Sequence, residues 1–231
     1  MVCALCKYDK PLQRSHIIPE RIYKPLYDRG GRGKAQKLDK VEGVFTRQRP
    51  IQKGLREELL CSSCEDLLNE DYEKEFNELW FKKRILPEAI ESGESIIIDG
   101  INYQQFKLYH LSILFKASVS SLAEFRQVDL GPQHTERIRL MVLKGECGKD
   151  IEYPIMCHAI TKENNLIQYG LITSPFKLRL HGFNCYGFCF GGCVWYYVVD
   201  GRAINLFSSF MLNSQGELSI MPISWENFLR L

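Results

Sequence analysis

The sequence predicts an α+β fold in two parts: a metal-stapled N-terminal unit, residues 1–90, and a helix-plus-antiparallel-sheet part, residues 91–231. Three observations carry this. Two Cys-x-x-Cys pairs, Cys3/Cys6 and Cys61/Cys64, flank the first sixty residues. Apolar residues recur with helical spacing over about 63–85 and 104–127. From residue 151 the chain turns into β-rich runs separated by Gly, Asn and Ser.

The paired cysteines are the strongest signal. Nine cysteines in a chain with no signal-peptide core favour metal binding over disulfides, and the reading is a cytoplasmic protein. Four thiolates close a structural zinc site well. The second pair sits where a helix begins, as in a treble-clef-like knuckle. The 54 residues between the pairs exceed what a plain ribbon needs, so an insert lies between the knuckles.

Within the insert, Ser15-His16-Ile17-Ile18-Pro19 reads as a strand closed by proline. "ERIYKPLYD" is a helical turn broken at Pro25, "RGGRGKAQK" (29–37) a flexible basic loop, and 41–54 strand and turn. The helix over 63–85 has an apolar stripe of Leu67, Leu68, Phe76, Leu79 and Trp80. Glu65, Asn69 and Glu73 recur every four residues and share a face beside it. Lys82, Lys83 and Arg84 suit its C-terminal end, with Pro87 as the stop.

"SIIIDGINY" (95–103) reads as a hairpin turning at Asp99-Gly100. Residues 104–127 look like one long, mostly buried helix, and 135–145 like a shorter one ending at Gly145. The later runs suggest a small antiparallel sheet and a terminal helical turn at "SWENFLRL". No run of 18 apolar residues exists, so no transmembrane helix and no membrane partner are expected.

Charge is segregated. Residues 1–56 carry 14 Lys/Arg against 5 Asp/Glu, and residues 57–100 carry 4 against 13, although the whole chain is only +2. A basic segment of this kind suits a polyanion. Arg14, Arg21, Lys24, Arg29, Arg32, Lys34, Lys37 and Arg56 are the candidate phosphate contacts. An ordinary solvated loop is the plainer alternative.

His16 on a strand, opposite carboxylates on a helix, makes a workable hydrolytic site. The imidazole takes a proton from water, and a divalent cation held by Glu65, with Glu73 as a further ligand, steadies charge on phosphate. "CALC…SHIIP…LLCSSCE" resembles the HNH endonucleases of the His-Me finger superfamily, in the subset stapled by two Cys-x-x-Cys knuckles. The resemblance covers residues 1 to about 80. It implies a ββα-metal fold, His16 as general base, Glu65 at the helix metal position, and catalytic Mg²⁺ or Mn²⁺ beside structural Zn²⁺. It also implies a nucleic-acid substrate, DNA foremost, and, by analogy, an effector role in bacterial anti-phage defence. The sequence departs from the family text: Ser15 stands where an acidic ligand is usual, Arg56 near the place of an Asn, and Glu65 in place of His or Asn. The rival reading is a non-catalytic zinc module that binds nucleic acid or a protein.

Cys185, Cys189 and Cys193 recur at every fourth position, which puts them on one face of a regular strand; Gly187, Gly191 and Gly192 warn of a bend. With Cys157, His158 and His181 elsewhere, they read as small buried side chains rather than a site. The aromatic, apolar strands of residues 91–231 read as a sensing, dimerising or partner-docking surface, engaging a second protein or another copy of the chain.

Overall fold

The computed structural model describes residues 1–26, 36–41, 44–50, 54–200, 202 and 207–231. The N-terminal unit is built on two antiparallel strands, β1 (Leu12–His16) and, after the insert, a strand over Arg56–Cys61. Between them lie α1 (Glu20–Tyr23), a 3₁₀ turn at Lys24–Leu26, and a ribbon of β2 (Gln36–Val41) paired with β3 (Val44–Pro50). Gln36 and Lys37, expected in the basic loop, belong to β2. The strand Arg56–Cys61 is therefore β4.

Register in the β1–β4 pair shifts once. Gln13 faces Leu60 while Arg14 faces Glu58, so Leu59 is an extra residue on β4. Such a bulge leaves backbone groups needing partners. Both are found: the Leu60 N–H donates to Ser15 Oγ at 3.1 Å, and Leu59 O accepts from the Ala4 N–H at 3.0 Å. The bulge is thus where the first knuckle docks onto the strand pair.

β4 runs without a break into a helical stretch, 62–83. It alternates α2 (Ser62–Leu67), a π-helical turn (Leu68–Glu73), α3 (Lys74–Asn77) and a second π turn (Glu78–Lys83). The reason lies in the apolar spacing. Cys64, Leu68, Tyr72, Phe76 and Trp80 are all buried and strictly four apart. In an ideal α-helix that row would drift by about 40° per step. The wider π turns cancel the drift and keep the row facing one neighbour.

That neighbour is α4 (Tyr103–Val119), capped by Asn102 Oδ1 accepting from the Gln105 N–H at 3.2 Å. Every residue from Phe106 to Ala117 is buried, so the helix reads as apolar on several faces. It ends at Val119, eight residues short of the expected 127. Ser120 is extended there, and the Ser120 and Ser121 hydroxyls both donate to the Glu57 carboxylate on β4. After it, α5 (Gly131–Lys144) ends at Gly145 in the left-handed conformation, φ 72°.

The expected hairpin at 95–103 does not form. β5 (Ile96–Ile98) pairs instead with a strand at the far end of the chain, and Asn102 is spent on the helix cap. The remaining strands are β6 (Ile155–Lys162), β7 (Leu166–Ile167), β8 (Phe176–Leu180), β9 (Phe183–Phe190), β10 (Cys193–Val198) and β11 (Leu218–Ser224). A short α6 (Trp225–Phe228) follows, capped by Ser224. They form one sheet in the order β5-β11-β6-β10-β9-β8, with β7 alongside β6. The sheet is mixed rather than purely antiparallel, because β11 lies parallel to β6. A single apolar core runs from Cys3 through Phe76 and Phe106 to Ile220, continuous across residue 90.

Candidate metal centre and the histidine strand

The four knuckle cysteines meet. The sulfurs of Cys3, Cys6, Cys61 and Cys64 all lie within 4.8 Å of one another, the one such group of metal-binding side chains among the described residues. Cys6 Sγ and Cys61 Sγ are 3.8 Å apart. Thiolates around tetrahedral zinc, with Zn–S near 2.3 Å, stand about 3.8 Å from each other. The donor set and its spacing therefore fit a structural zinc ion.

Local backbone builds this pocket. Lys7 turns back in the left-handed conformation, φ 64°, and its N–H donates to Cys3 O at 3.0 Å. The Cys61 N–H donates to Cys3 Sγ at 3.3 Å. Burial alone would raise the Cys3 thiol, but the N–H groups of Cys6, Cys61 and Leu5 outweigh it and hold it down at about 7. Burial and the neighbouring sulfurs push Cys64 far up, which a bound cation would reverse. From the second half of the chain, the buried Arg139 guanidinium donates to Leu5 O and clamps the knuckle loop against α5.

His16 ends β1, half-buried and directly opposite Arg56. Gly54 is packed beneath it, at φ +68°. A Cβ on Gly54 would stand 2.8 Å from the Tyr23 ring and 3.2 Å from His16 Cδ2. The glycine thus lets the chain pass under the imidazole. Ser15 is buried and its hydroxyl is committed to the bulge. The position where the resemblance implies an acidic ligand is a backbone support.

Of the helix row, Asn69 is exposed, whereas Glu65 and Glu73 are partly covered. Glu65 Oε1 is buried with no hydrogen-bond partner among the described residues. Glu73 faces Lys116 of α4, 3.9 Å from Oε1 to Nζ. Burial pushes Glu73 up; Lys116 draws it down and Glu65 raises it further. Glu57, across from Ser15, would also be raised by burial. The Ser120 and Ser121 hydroxyls and the Ser121 N–H overcome that and hold it below the ordinary carboxylate range.

Lys116, Tyr109 and Glu57 were missed by the sequence reading. The first had a signal: it is a lone charge inside the apolar run "LSILFKASV".

The basic candidates scatter. Arg14 is exposed on β1 opposite Glu58, Arg21 lies over the Phe81 ring on α1, Lys24 is exposed, and Arg56 is half-buried beside His16. Arg29, Arg32 and Lys34 lie outside the described residues.

The second cysteine set divides. Gly191 and Gly192, at φ 61° and 87°, form the two-residue turn between β9 and β10, so Cys193 starts a new strand. Cys185 and Cys189 face one side of the sheet; Cys193 and Cys157 face the other, in separate apolar clusters. The expectation of three sulfurs on one face fails at that turn.

Compared with family models, curated proteins and solved structures, the chain matches none. Among the described residues no helix is long and apolar enough to cross a membrane.

Proposed function

We propose that the N-terminal unit is an HNH-type, metal-dependent endonuclease centre that hydrolyses phosphodiester bonds, DNA being the first substrate to test. One observation carries the reading. His16 closes the first strand of a β–β pair that continues, through the zinc knuckle, into a helix bearing Glu65 with an orphaned, buried carboxylate oxygen. An unpaired buried oxygen of that kind calls for a cation or proton.

In this reading His16 accepts the proton of the attacking water. Its ring is held from below by the close-packed Gly54 and Tyr23. Arg56, across the strand pair, offers charge to the phosphate. A divalent ion held by Glu65 would supply Lewis-acid stabilisation of the leaving oxygen. The zinc cluster is structural: its four sulfurs leave no open position for substrate.

Ser15 supports the second reading, a non-catalytic module that binds nucleic acid, because its hydroxyl is spent on the bulge. Nicking of supercoiled plasmid in Mg²⁺ or Mn²⁺ separates the two. The hydrolase reading expects nicking by the wild type and its loss in a folded His16→Ala variant. Equal nicking by both removes His16 from the chemistry. Salt-sensitive DNA binding by the wild type with no nicking in either metal supports the binding module. The anti-phage role rests on the resemblance alone.

A further inference from the structure

The chain buries two lysines in α4, and they are treated differently. Lys107 is fully supplied: its ammonium donates to Tyr103 Oη at 3.0 Å and to Lys149 O. Lys116 is 1% exposed, and its ion-pair partner, Glu73, stands at 3.9 Å, beyond hydrogen-bond length. Around Lys116 two more polar groups are orphaned. Glu65 Oε1 is buried and unpartnered, and so is the hydroxyl of Tyr109, itself 1% exposed and stacked on Phe76 at 4.4 Å. After burial, the Glu73 carboxylate is the main influence holding the Tyr109 phenol up.

The placement is regular. Glu65 and Glu73 are eight residues apart on the helix of 62–83, and Tyr109 and Lys116 are seven apart on α4, which packs against it. Each pair spans two turns and so shares a face. Facing helices that converge two oxygen-bearing side chains each are how bundles build ion sites. With both carboxylates ionised, the cluster carries one negative charge in excess, buried where that is costly. The donors are all oxygen, which selects a hard cation such as Mg²⁺ or Mn²⁺, not the zinc of the thiolate site.

We propose that Lys116, brought by α4 from beyond the N-terminal unit, completes the candidate centre: Glu65, Glu73 and Tyr109 take a hard divalent cation, and the Lys116 ammonium stands in for that ion until it binds. This deepens the hydrolase reading, since Glu65 is the residue assigned there to the ion. The second half of the chain then supplies part of the site.

The test uses the full-length, zinc-loaded protein titrated with Mn²⁺, free ion being followed by electron paramagnetic resonance. One Mn²⁺ per chain is expected in the wild type. Glu65→Gln and Glu73→Gln each weaken it by about tenfold or more, because ligand charge sets such affinities. Lys116→Met tightens it by about tenfold, as the competing ammonium is gone. That gain cannot come from misfolding. The proposal is overturned if folded wild type and Lys116→Met take up no Mn²⁺, or if both glutamine variants bind as the wild type does. Mn²⁺ uptake of this pattern without plasmid nicking upholds the site and strikes the hydrolase reading. Nicking that is unchanged in Glu65→Gln and Glu73→Gln does the reverse.

Discussion

The molecule holds two groups of cysteines, and they show two ways a sequence spacing becomes geometry. Cys3, Cys6, Cys61 and Cys64 converge within 4.8 Å. Each pair needs only a local knuckle turn, and one strand pairing, β1 with β4, brings the pairs together. Cys185, Cys189 and Cys193 keep a regular spacing but converge nowhere, because that spacing has meaning only along an unbroken strand. Two glycines at positive φ end β9 and start β10 between the second and third sulfur. The first group is suited to being held by a metal; the second is held by burial alone.

The sharpest way to break this contrast is to remove one sulfur from each group. Cys61→Ser is expected to lose the zinc and unfold the N-terminal unit, since structural zinc contributes on the order of 10 kcal/mol in small domains. Metal analysis and circular dichroism read this, and a variant that keeps zinc and its melting temperature ends the four-thiolate assignment. Next comes His16→Ala, for which plasmid nicking should fall by about 100-fold or more while zinc content stays at one per chain.

Gly54→Ala sits between the two regions in size. It adds a methyl against Tyr23 and His16 at a left-handed backbone position, so a loss of about 2 kcal/mol is expected in urea unfolding. An unchanged midpoint would mean the passage under His16 is loose. Cys189→Ala, at a buried sheet position, should cost about 1 kcal/mol and leave zinc untouched. Zinc loss there would erase the distinction between the groups.

Acid should act on the burial-held region in its own way. Burial holds both His110 and His158 below the ordinary value of 6.5. The unfolded chain then takes up protons that the native state refuses. Their contribution to stability is complete above pH 6.5 and is lost as pH falls from there, by about 1 kcal/mol per unit for each histidine. Urea midpoints between pH 7.5 and 5.5 measure the slope, and His158→Gln should flatten it in part. A slope unchanged by that substitution would assign it elsewhere.

What could be read from the residues followed the range of the interactions. The zinc set, the helix of 62–83, the end of α5 at Gly145 and most strands depend on neighbours within a few positions, and their patterns were plain. The pairing of β5 with β11 joins residues more than a hundred apart, and nothing near "SIIID" encodes it. The early end of α4 was hidden for the same reason: Ser120 and Ser121 stop the helix by bonding to Glu57 on a distant strand. At the candidate site, His16 and Glu65 carried recognisable frames. Lys116 and Tyr109 did not, because their meaning arises only where α4 meets the knuckle helix.

The two π turns have a consequence for how this chain tolerates change. Each holds the buried row in phase by one wider turn, so the count of residues matters as much as their identity. Deleting a single residue within Leu68–Glu73 would restore an ordinary turn and swing everything downstream by about 100°. Phe76 and Trp80 would leave the core, and Glu73 would turn from Lys116. Side chains along the exposed face can be exchanged one for another, but the length of this helix is fixed by its own geometry.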